Sequence, residues 1–423
     1  MPSGRRTNTI FSNTLFAFPF ILFIYIAVAP GTYAAESRID SHISLSQAYN
    51  DNLTFTVHNP MDDLIFMAEP GLKWDYQTDR TLTTTSAELT HYGYKDEHEL
   101  NRTDQQYNLR HTWAITEKSG LSVAGTYKKD NTISQRTEDT GILFDTSDRT
   151  IYQIAPSCYW NLTERTRAEL AGGYADGDYE SNRYSDYTNK KATISVTHRL
   201  SSRNTKLLLE GDYAHQHYPS YYTTIDQYRF YLGFTHPFSE RLAITAWSGA
   251  KYTETDYQQL VREFLGYNFY LGLFPYPVFR ERIESKTEKD WGYIGLIQLT
   301  QAYEKGDITL TVQRDIGTST ALGETIEKDS IALNSSYQFI RHLTASLSAE
   351  ITNEKYNGTG NYAERDIYRF CPSLNWQLKK DIWVDLSYLY LRSEEKIEST
   401  NMKNTAERNR IVLSIAIRNE KRL

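Results

Sequence analysis

From Ile39 onward the chain alternates apolar and polar residues with a period of two, and this pattern constrains the fold more than any other feature. Leu343, Ala345, Leu347, Ala349 and Ile351 alternate with Thr344, Ser346, Ser348, Glu350 and Thr352. Tyr228, Phe230, Leu232 and Phe234 alternate with Arg229, Tyr231, Gly233 and Thr235. Successive side chains of a strand point to opposite faces, so each stretch has one apolar and one polar face. Helical spacing is nearly absent, which predicts an all-β protein of antiparallel strands.

The connections sort into two kinds. Short polar turns are expected at 78–80, 117–120, 161–165, 201–204, 239–241, 304–307, 340–342 and 379–381, with longer loops between them, among them 129–147, 176–186, 256–288 and 393–404. Eight short and nine long connections imply about 18 strands, within a range of 16–20, with both ends on the short-turn side. Such alternation is the pattern of a single transmembrane antiparallel β-barrel, short turns toward the periplasm and long loops outside. A β-sandwich or propeller has no reason to sort its loops this way.

Composition agrees and removes other classes. The mean hydropathy of −0.59 excludes a helical membrane bundle. A net charge of −7 gives no basic footprint for nucleic acid. No nucleophile elbow, phosphate loop or metal-ligand set occurs, so neither enzymatic activity nor a cofactor is expected. His215 and His217 share the parity of Leu207, Leu209 and Tyr213, which places them on the apolar face. Cys158 and Cys371 lie on separate strands, and their spacing does not define a disulfide.

Residues 1–34 read as a secretory signal peptide. Arg5 and Arg6 precede an uncharged apolar run, Leu15 to Ala29, and Pro30 and Gly31 break it before Thr32-Tyr33-Ala34. The barrel then occupies 35–423. The expected location is the outer membrane of a Gram-negative bacterium, with its lipid as one partner.

Three segments echo one another: Glu69-Pro70-Gly71-Leu72-Lys73-Trp74, Ala155-Pro156-Ser157-Cys158-Tyr159-Trp160 and Cys371-Pro372-Ser373-Leu374-Asn375-Trp376. Proline and tryptophan share the apolar parity in each, so Trp74, Trp160 and Trp376, with Trp113, are expected in an interfacial girdle near the short turns. Proline lacks the ladder donor, so a bend or bulge is expected at Pro70, Pro156 and Pro372.

Tyr49-Asn50-Asp51-Asn52-Leu53 at the first outer loop, followed by Asp63-Leu64-Ile65 and Glu69-Pro70-Gly71-Leu72, resembles the opening of the second β-barrel porin family of outer-membrane proteins. The strand rhythm is similar over most of 36–417. Members are often associated with exopolysaccharide systems, so the resemblance implies polysaccharide passage and envelope export machinery as a partner. It supplies no catalytic residue.

Within the lumen, Glu88 with Arg110, Asp212 with Arg229, and Glu350 with Arg369 have polar parity on hairpins closed by outer loops. Each pair is expected to meet across its hairpin. The longest loop, 256–288, carries an uncharged aromatic run at 264–279. Folded inward, it would form a constriction from Phe264, Tyr267, Phe269, Tyr270, Phe274, Tyr276 and Phe279, with Arg280 and Arg282 at the mouth. Docking on the outer leaflet or a partner, or an added strand pair, are the alternatives, the last disfavoured by Pro275 and Pro277. The expected function is a channel passing hydrophilic solute or polymer; the alternative is a structural or adhesin-like barrel with an occluded lumen and partner-binding loops.

Overall fold

The period-two pattern folds into eighteen strands of one closed antiparallel sheet. The computed structural model describes residues 35–134, 146–200, 204–270, 274–318, 325–357, 363–397 and 402–422; the expected leader lies outside them. The first nine strands are β1 (Glu36–Asn50), β2 (Asp63–Gln77), β3 (Thr81–Tyr94), β4 (Arg102–Ala114), β5 (Ser119–Asn131), β6 (Asp148–Asn161), β7 (Thr166–Tyr179), β8 (Tyr187–Arg199) and β9 (Lys206–Tyr218). The second nine are β10 (Thr223–Pro237), β11 (Leu242–Tyr270), β12 (Phe274–Tyr303), β13 (Gly306–Thr318), β14 (Thr325–Ile340), β15 (Leu343–Asn357), β16 (Ala363–Lys379), β17 (Ile382–Ile397) and β18 (Met402–Arg422).

Each strand pairs with the next, and β1 with β18 closes the ring from Arg38↔Arg422 to Asn50↔Arg410. Closure leaves no edge along the spanning wall, which a lipid-facing sheet requires because hydrocarbon offers no hydrogen bonds. Most strands have 13 to 17 residues, more than the roughly 9–11 a tilted membrane strand needs. No helix among the described residues is long and apolar enough to cross a membrane.

Four short turns share one chemistry. Thr78-Asp79-Arg80, Thr116-Glu117-Lys118, Thr163-Glu164-Arg165 and Ser239-Glu240-Arg241 each begin with a hydroxyl that accepts a hydrogen bond from the N–H two residues on. In the first, third and fourth it also accepts from the N–H three residues on. The side chain thereby occupies donors that the reversing chain would otherwise leave unpaired.

Parity divides outside from inside. Ile43 and Leu45 are exposed on the outer face of β1, as are Phe230 and Leu232 on β10. The bulge expected at the prolines needs correction. Around Pro70 the β2–β3 ladder passes from Ala68↔His91 to Gly71↔Glu88 without a register change. The ladders around Pro156 and Pro372 skip two residues in the same way. Proline removes local ladder contacts there and inserts no bulge, while Pro70 stays paired with Ile43 on its other side.

The segment 256–288 is also corrected. It is not a strand-free loop: β11 and β12 continue as one paired hairpin out to Tyr270↔Phe274. Among the described residues, 257–270 and 274–286 pair only with each other, so a two-stranded ribbon extends on the order of 45 Å beyond the last β10 partner at about 3.3 Å per residue. Pro275 and Pro277 lie in the register opposite Phe269 and Tyr267. A ribbon without a third strand tolerates them, since an outward-facing position needs no ladder donor. The strand count stays at 18.

Candidate functional site

The inward face carries most of the buried polar chemistry. On the β9–β10 hairpin Asp212 and Arg229 stand opposite each other, with Arg229 Nε 2.9 Å from Asp212 Oδ1. Glu350 and Arg369 are directly opposed on β15 and β16. Glu88 and Arg110 do not meet: Glu88 pairs with Gln106 and Arg110 with Thr84. The β3–β4 connection contains a single 3₁₀ turn, His98–Leu100, and β4 resumes at Arg102 opposite Tyr92, which moves the two charges four residues out of register. A pair the sequence reading missed, Arg149 with Asp130, is buried and bidentate at 3.1 and 2.9 Å.

The outer mouth is filled from an unexpected quarter. Residues 51–62, between β1 and β2, fold onto the inner wall. Leu53 packs with Ala48, Ile65, Tyr94 and Ile133, while Phe55 packs with Leu391 and Ala406. Burying these side chains inside a polar lumen ties the loop to both sides of the β1–β18 seam.

A polar latch holds it there. Asn52 Nδ2 donates to the carbonyls of Thr56 and Glu407, each at 2.9 Å, and Asn52 Oδ1 accepts from Thr56 N. Arg408 Nε and Nη2 donate to the carbonyls of Asn52 and Leu53 at 2.8 and 2.9 Å. Asp51 accepts from the backbone and side-chain nitrogens of Asn409 at 2.6 and 2.7 Å. Phe55 has a positive φ of 49°, an uncommon conformation for an aromatic residue, and the Arg408 guanidinium sits 5.0 Å from its ring centroid. Asp63, at the loop's far end, accepts from the N–H of Asp96 and of Glu97 and so fixes the neighbouring connection. The residues that carried the family resemblance, Asn50, Asp51, Asn52, Leu53 and Asp63, thus have a structural account: they seat the first outer loop.

The wall between β14 and β17 holds a recess of about 160 Å³. Leu391, buried in one cluster with Phe55 and Ala406, and Ile367, which packs against that cluster, lie at its edge. Lys328, Glu350, Glu354 and Arg369 line the rest. Glu354 accepts from Tyr356 Oη at 2.8 Å and lies 3.6 Å from Arg365, so its charge is already compensated.

The residues expected to constrict the lumen are placed elsewhere. Phe264, Tyr267, Tyr276 and Phe279 lie on the ribbon with 45% to 66% exposure, not packed against the barrel wall. Phe269, Tyr270 and Phe274 belong to its paired tip. Arg280 is opposite Glu263, and Arg282 pairs with Glu284 on its own strand. Trp74, Trp113, Trp160 and Trp376 have outward parity near the short turns, and Trp74 Nε1 donates to Ser37 Oγ at 2.9 Å. His215 contacts Asp226 on the outer face, and the two cysteines are free thiols. No cluster with metal-site geometry occurs among the described residues.

No protein-family model matches the chain, and no curated relative does. Among solved structures the similarity is one of overall shape. OpdL of Pseudomonas aeruginosa is 12% identical, with 91% of this chain and 99% of that chain covered at a TM-score of 0.43. OpdK of Pseudomonas aeruginosa, solved with vanillate, is 9% identical over 91% and 99% at 0.46. The ferric-catecholate import receptor Fiu of E. coli K12 is 9% identical over 90% and 81% at 0.45. The barrel assignment rests on the chain's own ladder.

Proposed function

We propose that the chain is an outer-membrane channel for small hydrophilic solutes, with the first outer loop narrowing its mouth. The observation that carries this reading is the inward seating of residues 51–62 on a lumen wall rich in charge, inside a closed barrel whose outer face is apolar. An apolar exterior suits lipid, and an 18-strand circumference leaves an interior wide enough for water. The lumen residues bind and orient ions and solutes by hydrogen bonds and charge; no step in passage requires a bond to form or break.

The loop favours small solutes over polymer, so export of exopolysaccharide draws no support from the mouth's geometry. A partner-binding role for the barrel is favoured by one feature, the exposed aromatic ribbon beyond the rim. Liposome swelling separates the two readings. Vesicles holding the folded chain are expected to swell in small sugars and progressively less in larger ones. Absence of swelling with any solute would leave the partner-binding barrel as the account.

A further inference from the structure

We infer that the outer face of β14–β17 binds an anionic phospholipid of the leaflet on the short-turn side. An acyl chain lies in an apolar furrow there, and the phosphate meets two basic turns at its end. The inference rests on the membrane reading above and is independent of conduction.

The furrow follows from the order of large and small side chains. Tyr337, Ala345, Leu374 and Leu386 form one row across the four strands, and Ser335, Leu347 and Pro372 form the next row away from the short turns. The small residues sink the wall between the large ones, leaving an apolar hollow of about 490 Å³ on the outer face. Tyr337, Phe370, Leu374 and Leu386 are 42% to 46% exposed, so they present surface to an occupant. In hydrocarbon surroundings packing, not water exclusion, supplies attraction between apolar groups. A hollow touches a chain on more than one side, which a flat wall cannot.

Charge lies where the head group would. Turns 340–342 and 379–381 close the β14–β15 and β16–β17 hairpins, the first only three residues before Ala345. That is about 10 Å along the strand at about 3.3 Å per residue. The four hydroxyl-led turns each carry one acid and one base, but here Arg341, Lys379 and Lys380 stand against a single acid, Asp381. Among the described residues none of these three cations has an ion-pair partner, whereas Arg241 in the turn after β10 reaches Glu304 at 3.8 Å.

The two basic turns are also built alike. Each carries a register shift, and a glutamine fixes each: Gln338 Nε2 donates to the Arg341 carbonyl at 2.9 Å, and Gln377 Nε2 to that of Lys380 at 3.1 Å. Gln377 N donates to the His342 carbonyl at 2.8 Å, which holds the turns side by side. Clustered cations at a lipid surface select anionic head groups. An apolar furrow ending on such a cluster matches a lipid with one acyl body and one negative head.

The test reads lipid retention by native mass spectrometry on the full chain folded in detergent, with dioleoylphosphatidylglycerol and dioleoylphosphatidylcholine as probes. The anionic lipid is expected to bind about tenfold or more tighter than the zwitterionic one. Arg341→Gln with Lys379→Gln and Lys380→Gln should abolish that preference, while Arg80→Gln with Lys118→Gln and Arg165→Gln should leave it. Ala345→Phe, which fills the furrow and keeps the face apolar, should weaken both lipids. Equal binding of the two lipids, or retention unchanged by Ala345→Phe, would overturn the proposal. So would full displacement of the anionic lipid by inorganic phosphate, which would mark an anion site that needs no acyl chain. A dimer dispersed by Ala345→Phe would overturn it too, making a second copy of the chain the occupant. If an altered protein did not assemble, the two lipids on the parent would still decide. Flotation with phosphatidylcholine vesicles keeps the claims apart: a chain that floats but shows no lipid preference keeps the membrane reading and loses the site, and one that does not float loses both.

Discussion

Arg408 reaches across the β1–β18 seam and donates to the backbone carbonyls of Asn52 and Leu53, residues more than 350 positions earlier in the chain. It links the last strand to the first outer loop. Arg408→Ala removes both bonds and the contact with the Phe55 ring, a loss on the order of 3 kcal/mol for seating the loop. The ladder is untouched, so the barrel should still migrate faster on gels unboiled than boiled. Limited proteolysis should then cut within 51–62 at protease levels that leave the parent intact.

Asp130 and Arg149 form a buried pair with Lys128 as the remaining cation, 2.9 Å from the same carboxylate. Arg149→Met leaves a buried carboxylate only partly compensated, at a cost of about 3 kcal/mol. Urea unfolding of the vesicle-folded protein should show the loss. Asp130→Asn combined with Arg149→Met should recover much of it, because no unpaired charge is then buried.

Gly249 on β11 faces Tyr231 across the β10–β11 ladder, and a Cβ there would lie 2.2 Å from the Phe230 carbonyl oxygen. Backbone cannot swing aside as a side chain can, so Gly249→Ala should destabilise the barrel by about 1–3 kcal/mol. Adding Tyr231→Ala should not restore stability. Gly317→Ala, where a Cβ meets nothing within 4 Å, should be close to neutral in the same unfolding assay.

Arg369 has inward parity opposite Glu350. Reversing a lumen charge tunes selectivity, whereas a charge on the lipid face destabilises assembly. Arg369→Glu should shift the reversal potential toward cation preference under a salt gradient, with unchanged gel mobility of the folded form. An assembly defect with unaltered selectivity would contradict the inward placement.

The strand pattern, the short turns among the described residues and the count of eighteen were legible because period-two alternation and short polar runs are local properties. The Asp212–Arg229 pair and the facing register of Glu350 and Arg369 were legible for a related reason: in each the acid lies about as far before the connection as the arginine lies after it, so distance from the loop predicts register. Glu88 and Arg110 failed because a 3₁₀ turn takes up residues unequally on the two sides. The ribbon was hidden by Pro275 and Pro277, which break a central strand but not one without a third neighbour. The latch was hidden for a different reason. Asn50-Asp51-Asn52 reads locally as a polar turn, and nothing near it in sequence announces Arg408 or Asn409 as partners. The parity of Arg408 with Val412 and Ala416 places it inside the barrel, but only the closed ring brings it to the loop.

Single-channel conductance in planar bilayers tests the central claim most directly, comparing the full chain with one in which residues 53–61 are replaced by a short glycine-serine tether. The parent is expected to give uniform current steps, and the tethered form clearly larger steps at the same unboiled gel mobility, since removing the seated loop widens the mouth. Absence of current from the inserted parent, or equal steps from the two proteins, would contradict a channel narrowed by its first outer loop.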